Sequence, residues 1–322
     1  MYTIFFIILQ LCISRAGAGQ GNGTTANIKE IFTGRCFDYL EFRYSSGLQG
    51  KNCTDLFRIF EKEFNNNTKC SDDFSGMFTD FFQAVDQGPT SKDRALFWSG
   101  TMSVAHSISK VSKDYITLED TFPGYIANDL NFCGEDTVGF NYAQCSCKWD
   151  SSQKKVFWQK ASTQFAKNAR GNINVLINGT RHDQNAAYRN TSIFATVELP
   201  NLNPSAVTLV KILVGMDLDR KPRETCGHKS IKKLRNDIEA RNMTVQCIDE
   251  PRIVFDILCT IYKNENSCRM IQKLQVREKG KTWMIVAYSC IGACLILLII
   301  VACTCNRSRK RRNDSDVPYL RS

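Results

Sequence analysis

Two features of this 322-residue chain predict an α/β fold, a helix-rich first half and a second half of short β-rich segments separated by helix, and a hydrophobic run at the C-terminal end adds one transmembrane helix. From Ile31 to Phe82 the apolar residues recur at helical spacing, as in Leu56, Phe57, Ile59, Phe60 and Phe64. Later, β-rich segments are expected at 95–99, 173–177, 192–199, 208–214 and 244–248. Between the last two, Ile231, Leu234 and Ile238 form a helical stripe over residues 230–242. Strands alternating with helices favour parallel pairing, so a small α/β part is expected beside a helical one.

The two ends predict a membrane-anchored product of the secretory pathway. Residues 2–13 are mostly apolar and lead into Ala16-Gly17-Ala18, so residues 1–18 read as a signal peptide. Twelve residues are too few to cross a core of about 30 Å. By contrast, residues 283–305 carry no formal charge and are long enough to span it as a transmembrane helix. Arg307, Arg309, Lys310, Arg311 and Arg312 follow, which places the 306–322 tail in the cytosol and makes the topology type I. Residues 271–282 then form a stalk, with the plasma membrane as the expected location and an organelle lumen as the alternative. Glycines at 17, 19, 21 and 23 have no strand before them and do not make a phosphate loop. Residues 19–27 are expected to be a flexible leader.

The net charge of +10 does not require a nucleic-acid partner, because the tail after Cys305 holds six basic residues against two acidic ones. Between the hydrophobic runs lie Cys36, Cys53, Cys70, Cys133, Cys145, Cys147, Cys226, Cys247, Cys259 and Cys268, an even set suited to five disulfides in an oxidising compartment. No metal site is expected, since the spacings are wide, the CxC at Cys145 and Cys147 has no partner motif, and the chain has three histidines. Sequons at Asn22, Asn66, Asn178, Asn190 and Asn242 fit a glycosylated outer surface.

No generic catalytic motif appears, but an ordered set of short ones does. Leu96-Phe97-Trp98-Ser99 is followed by Thr117-Leu118-Glu119-Asp120-Thr121, Gly124-Tyr125, Asp129-Leu130 and Cys133-Gly134-Glu135. Val156-Phe157-Trp158 with Ser162, Phe165 and Ala166 comes next, then Asn178-Gly179-Thr180-Arg181 and Phe194 to Glu198. This series resembles the ADP-ribosyl cyclase and NAD glycohydrolase family, from about Arg35 to Cys268.

The resemblance implies an ectodomain over 30–270: a helical part at 30–91 and 117–169, and a smaller part with a four-stranded parallel sheet at 92–116 and 170–270, each discontinuous in sequence. It implies the pairs Cys36–Cys53, Cys70–Cys147, Cys133–Cys145, Cys226–Cys247 and Cys259–Cys268. Lys92 and Arg170 stand where some members carry a sixth bridge.

It further implies cleavage of the nicotinamide–ribose bond of NAD, with NAD as substrate, no cofactor, and products that serve calcium signalling. A homodimer is left open. Glu198 takes the catalytic glutamate position, Trp98 and Trp158 the aromatic walls, and Glu119 the acidic group that meets the nicotinamide carboxamide. Ser99, Ser162 and the backbone near Phe194 correspond to phosphate contacts.

Three positions depart from the family pattern. Gly100 stands where relatives can have an arginine, Asn128 replaces an aspartate, and Ile193 replaces a small polar residue near the glutamate. On residue type alone, Glu198 reads as a surface carboxylate at a strand end, Glu119 as a helix cap and the tryptophans as core. A non-catalytic surface receptor on the same scaffold is the alternative function.

Overall fold

The structure, a computed structural model, describes residues 23–269 except 44–45, 66–69, 71–75, 135–137, 150–151, 182–185, 216 and 219–222. The expected signal peptide, stalk, membrane span and tail lie outside the described residues, as do Glu135 and the sequons at Asn22 and Asn66. Among the described residues no helix is long and apolar enough to cross a membrane.

Helices α1 (Ile28–Phe42), α2 (Cys53–Lys62) and α3 (Thr79–Ala84) come first. Asn52 starts α2 by accepting from the backbone N–H groups of Thr54 and Asp55, which satisfies two of the donors a helix start leaves open. The apolar stripe of α2 meets Phe32 of α1 and Phe81 of α3 around the Phe60 ring, with centroids 5.3 and 5.6 Å away. Phe132 and Phe157 close the same cluster, at 5.3 and 5.7 Å from Phe60. The edge-on arrangements suit aromatic quadrupoles and centre this half's core on phenylalanine, with Ile28, Leu48, Leu56 and Met77 buried in the same cluster.

Four strands, β1 (Leu96–Ser99), β2 (Gly171–Asn178), β3 (Val207–Gly215) and β4 (Thr244–Asp249), form one sheet in the order β1-β2-β3-β4, all parallel. The interior strands are buried along nearly their whole length, as a parallel sheet covered on both faces requires. Helices α4 (Met102–Val111), α5 (Phe122–Ala127) and α6 (Gln153–Asn168) lie between β1 and β2 in the chain, while α7 (Lys229–Glu239) and α8 (Arg252–Ile261) follow β3 and β4. Ile231, Leu234 and Ile238 are the buried residues of α7.

The structure corrects two expectations. Residues 192–199 are not a strand: Phe194–Glu198 is a π-helical turn that runs into a helical turn at Leu199–Asn201. Phe194, Val197 and Glu198 are buried at helical spacing, and Pro200 sits in the first turn of the continuation, where its missing N–H costs nothing. Residues 23–27 are pinned rather than a loose leader. Thr24 and Thr25 donate their backbone N–H groups to Asn141 and Asn131 at 2.8 Å, and the buried Thr24 hydroxyl donates to the Cys133 carbonyl.

Five disulfides are present, Cys36–Cys53, Cys70–Cys147, Cys133–Cys145, Cys226–Cys247 and Cys259–Cys268. The first four lie within the compact unit that ends at Leu258, and the fifth belongs to the separate segment beginning at Cys259. Asn178, Asn190 and Asn242 are described, and Asn242 sits at positive φ, a conformation asparagine tolerates.

Candidate active site

β1 delivers Trp98 and Ser99 to the carboxyl edge of the sheet, the edge where open parallel α/β sheets bind ligands. Gly100 follows at φ +71°, a left-handed turn that glycine makes without strain, and α4 begins two residues later. The start of β1 is bonded to the 116 segment, with Leu96 N–H donating to the Ile116 carbonyl at 2.8 Å. Beyond it Leu118–Asp120 forms a 3-10 turn closed by a capping box between Thr117 and Asp120. Gly124 is obligatory here, because a Cβ on it would lie 2.0 Å from the Leu118 carbonyl oxygen. Together these constraints hold Glu119 beside Trp98.

The indole Nε1 of Trp98 donates to Glu119 Oε2 at 3.3 Å. His106, on the second turn of α4, brings Nε2 to 3.2 Å from the same oxygen and meets the Trp98 ring edge-on at 6.1 Å. That Nε2 is buried without a well-directed hydrogen bond, and the contact is an ion pair when the imidazole is protonated. The Glu119 carboxylate raises the His106 pKa despite burial. Burial pushes the Glu119 carboxyl up, but His106, its own backbone and the Trp98 indole outweigh that and leave it below the ordinary value. Sequence reasoning missed His106, since a lone histidine on an amphipathic helix carries no signal until its contact is known.

Glu198 closes the π-helical turn, a form frequent at functional sites, and is 6% exposed. Burial pushes its carboxyl up to about 8; the Ser162 hydroxyl bonds to it and pulls the other way, and the nearby Glu119 charge adds to the rise. Phe194 packs on Phe97 with centroids 5.8 Å apart, fixing this turn against β1. Trp98, Glu119, Ser162, Phe194 and Glu198 are therefore assembled in one place, with the buried Ser99 next to Trp98.

The other candidates are placed less directly. Trp158 is half-buried on α6, four residues before Ser162 and so on the same helical face, and lies edge-on to Phe157 at 5.6 Å. Ile193 is half-buried just ahead of the π turn. Asn128 ends α5; its side-chain amide donates to Asp129 at 3.2 Å and its carbonyl accepts from Arg35 at 2.6 Å. Among the described residues no ring contact or hydrogen bond links these three to Glu198.

Arg181 ends the Asn178-Gly179-Thr180-Arg181 motif just after β2. Its guanidinium lies directly over Gly100: a Cβ there would be 2.2 Å from Cζ and 2.3 Å from one terminal nitrogen. A cation thus stands beside Ser99 at the carboxyl ends of β1 and β2.

A buried carboxyl and an indole-bound acidic residue at the carboxyl edge of a parallel sheet make this the candidate active site of an α/β protein. The family model of ADP-ribosyl cyclase matches residues 25–268, and the chain belongs to that family. It is 34% identical over 274 residues to the ADP-ribosyl cyclase/cyclic ADP-ribose hydrolase of Aplysia californica, covering 83% of this chain and 95% of that protein. Against ADP-ribosyl cyclase/cyclic ADP-ribose hydrolase 1 of Mus musculus the identity is 30% over 257 residues, covering 78% and 82%. The crystal structure of Aplysia cyclase with substrate NGD and product cGDPR superposes with a TM-score of 0.68 at 33% identity, covering 76% of this chain and 98% of that one.

Proposed function

We propose that this chain cleaves the nicotinamide–ribose bond of NAD, with Glu198 as the single catalytic carboxylate, to give ADP-ribose, cyclic ADP-ribose or both. The reading is supported by the relatives named ADP-ribosyl cyclase/cyclic ADP-ribose hydrolase and by the burial of Glu198 next to the Trp98–Glu119 pair.

The chemistry needs one carboxylate because the leaving group is already a pyridinium. The C1′–N bond breaks with its electron pair passing to nitrogen, and nicotinamide departs neutral without a proton donor. What remains is an oxocarbenium-like ribose, which an ionised Glu198 stabilises in a site from which water is largely excluded. Water adds at C1′ and loses a proton to give ADP-ribose; attack by an adenine nitrogen gives the cyclic product instead.

An empty-site carboxyl with a pKa of about 8 is mostly protonated at neutral pH. The cationic pyridinium favours its ionised form, so binding is expected to expel that proton and charge the site as the substrate arrives. The indoles of Trp98 and Trp158 attract the pyridinium by cation–π contact, on the order of 0.5–2 kcal/mol each. Glu119, held ionised by His106, accepts from the carboxamide, to which Asn128 adds an uncharged partner. Ser99, Ser162 and the backbone at Phe194 face the pyrophosphate, Arg181 supplies its cation from over Gly100, and Ile193 faces the adenine.

From sequence alone come the further proposals that residues 283–305 anchor the chain, with the catalytic part outside and 306–322 in the cytosol, and that 30–91 with 117–169 and 92–116 with 170–270 act as two lobes around the substrate. The decisive experiment measures nicotinamide release from NAD by the purified chain and by Glu198→Gln. Retention of activity in the variant rejects the role given to Glu198, and no release by the parent chain rejects the function.

A further inference from the structure

A cavity of about 600 Å³ is lined by none of the residues assigned to the candidate active site. That volume is in the range of small-molecule sites. Its walls come from residues 87–94, the 115–123 segment, the end of α4 and the second half of α6, with Tyr39 and Arg43 at the edge.

The charge on the walls is one-sided. Arg43, Arg94 and Lys113 face a single carboxylate, Asp120, which Arg43 already neutralises at 3.2 Å. Arg94 and Lys113 have no carboxylate partner among the described residues. The Nε of Arg94 is buried and has no hydrogen-bond partner among the described residues. An unsatisfied charged donor is costly, and the cost disappears when an oxyanion accepts from it. The hydroxyls of Thr90, Ser91 and Tyr115 also line the cavity and make no side-chain hydrogen bond within the described protein. Five uncommitted donors thus share one space, beside the apolar surfaces of Pro89, Ile116 and Pro123.

We infer that this cavity is a second ligand site, for a phosphorylated small molecule of nucleotide size. The phosphate group meets Arg94 and Lys113, and the organic portion lies against the prolines. The site backs onto the catalytic one through shared segments: Arg94 is four residues before Trp98, Asp120 adjoins Glu119, and Ala161 adjoins Ser162. An occupant would hold those three segments in place, which makes the site suited to an effector.

The test uses the full chain in detergent and isothermal titration with three probes: inorganic pyrophosphate, ADP and adenosine. Pyrophosphate and ADP are expected to bind and adenosine not to. Arg94→Gln and Lys113→Gln should each weaken pyrophosphate binding about tenfold, the worth of one charge-assisted hydrogen bond. Nicotinamide release from NAD without added probe should stay within about twofold of the parent, since neither side chain is assigned to the reaction. If Arg94→Gln melts early, Arg94→Lys replaces it; it keeps the charge but loses the fork and should bind severalfold more weakly.

The inference is overturned if millimolar pyrophosphate fails to bind. It is also overturned if binding is unchanged in the Arg94→Gln/Lys113→Gln double variant, which would place the ion at the catalytic site beside Arg181. Because binding is read by heat, the result stands apart from whether the chain cleaves NAD.

Discussion

His106 Nε2 lies 3.2 Å from Glu119 Oε2, the same oxygen that accepts from the Trp98 indole. One carboxylate oxygen therefore ties a helix to a strand end. The His106 pKa is raised by the Glu119 carboxylate, so its share of the stability is complete below the unfolded histidine value and is lost as pH rises through the folded one. Glu119 is lowered on balance, so its share is present above the unfolded carboxyl value and is lost as pH falls through the folded one. The pair is strongest between about pH 4.5 and 6.5. In His106→Gln the carboxyl loses its cation, and the acid limb of kcat against pH for nicotinamide release should move to higher pH. A fall in activity with an unmoved acid limb would show His106 to be merely structural.

Glu198 gives a prediction of opposite sign. Its folded carboxyl, raised by burial to about 8, holds its proton more tightly than the unfolded chain does. Stability should therefore fall as pH climbs from about 4.5 to about 8, by a few kcal/mol. Glu198→Gln removes that cost. It should melt close to the parent at pH 4.5 and several degrees higher at pH 8, while nicotinamide release drops at least about 10²-fold. Equal melting curves at both pH values would refute the buried, protonated state.

Much of this was legible in the sequence because patterning and resemblance speak to different features. The β-rich runs around Phe97, Val175 and Val210 are three of the four strands, since buried parallel strands leave continuous apolar stretches, and the run around Val245 is β4, an edge strand of exposed and half-buried residues. Residues 194–198 misled because Phe, Thr and Val are strand formers wherever they stand, and burial at helical spacing overruled them. Thr24 reads as loose in the sequence because a polar residue in a glycine-rich stretch gives no hint of hydrogen bonds to residues more than a hundred positions away. Glu198, Trp98 and Glu119 are candidates through the resemblance alone. His106 and the placement of Arg181 lie beyond it, because both depend on contacts across the fold.

The phenylalanine cluster offers a test of stability alone. Phe60 is 1% exposed, and its ring touches those of Phe32, Phe81, Phe132 and Phe157. Phe60→Ala opens a cavity that neighbouring aromatic rings cannot collapse into, so a loss of about 3–5 kcal/mol is expected in urea unfolding. Phe37 on α1 is 60% exposed, and Phe37→Ala should change stability by less than about 0.5 kcal/mol. Similar costs for the two would contradict the assignment of the core.

Gly100 and Arg181 form a pair that can be exchanged. The guanidinium of Arg181 fills the space where a side chain at 100 would begin, and Gly100 sits at φ +71°, so Gly100→Arg alone should be strained and should displace the native cation. Arg181→Ala leaves room and removes the charge. If Arg181 faces the pyrophosphate, that variant should raise KM for NAD about tenfold, the worth of one charge-assisted bond, and leave cleavage of nicotinamide riboside, which has no phosphate, unchanged. In the double variant Gly100→Arg/Arg181→Ala a cation returns from the other strand end, and KM for NAD should recover at least in part. A defect that fell equally on both substrates would assign Arg181 to the shape of the turn rather than to the phosphates, because a misplaced β1 end would disturb Trp98 whatever the substrate carried.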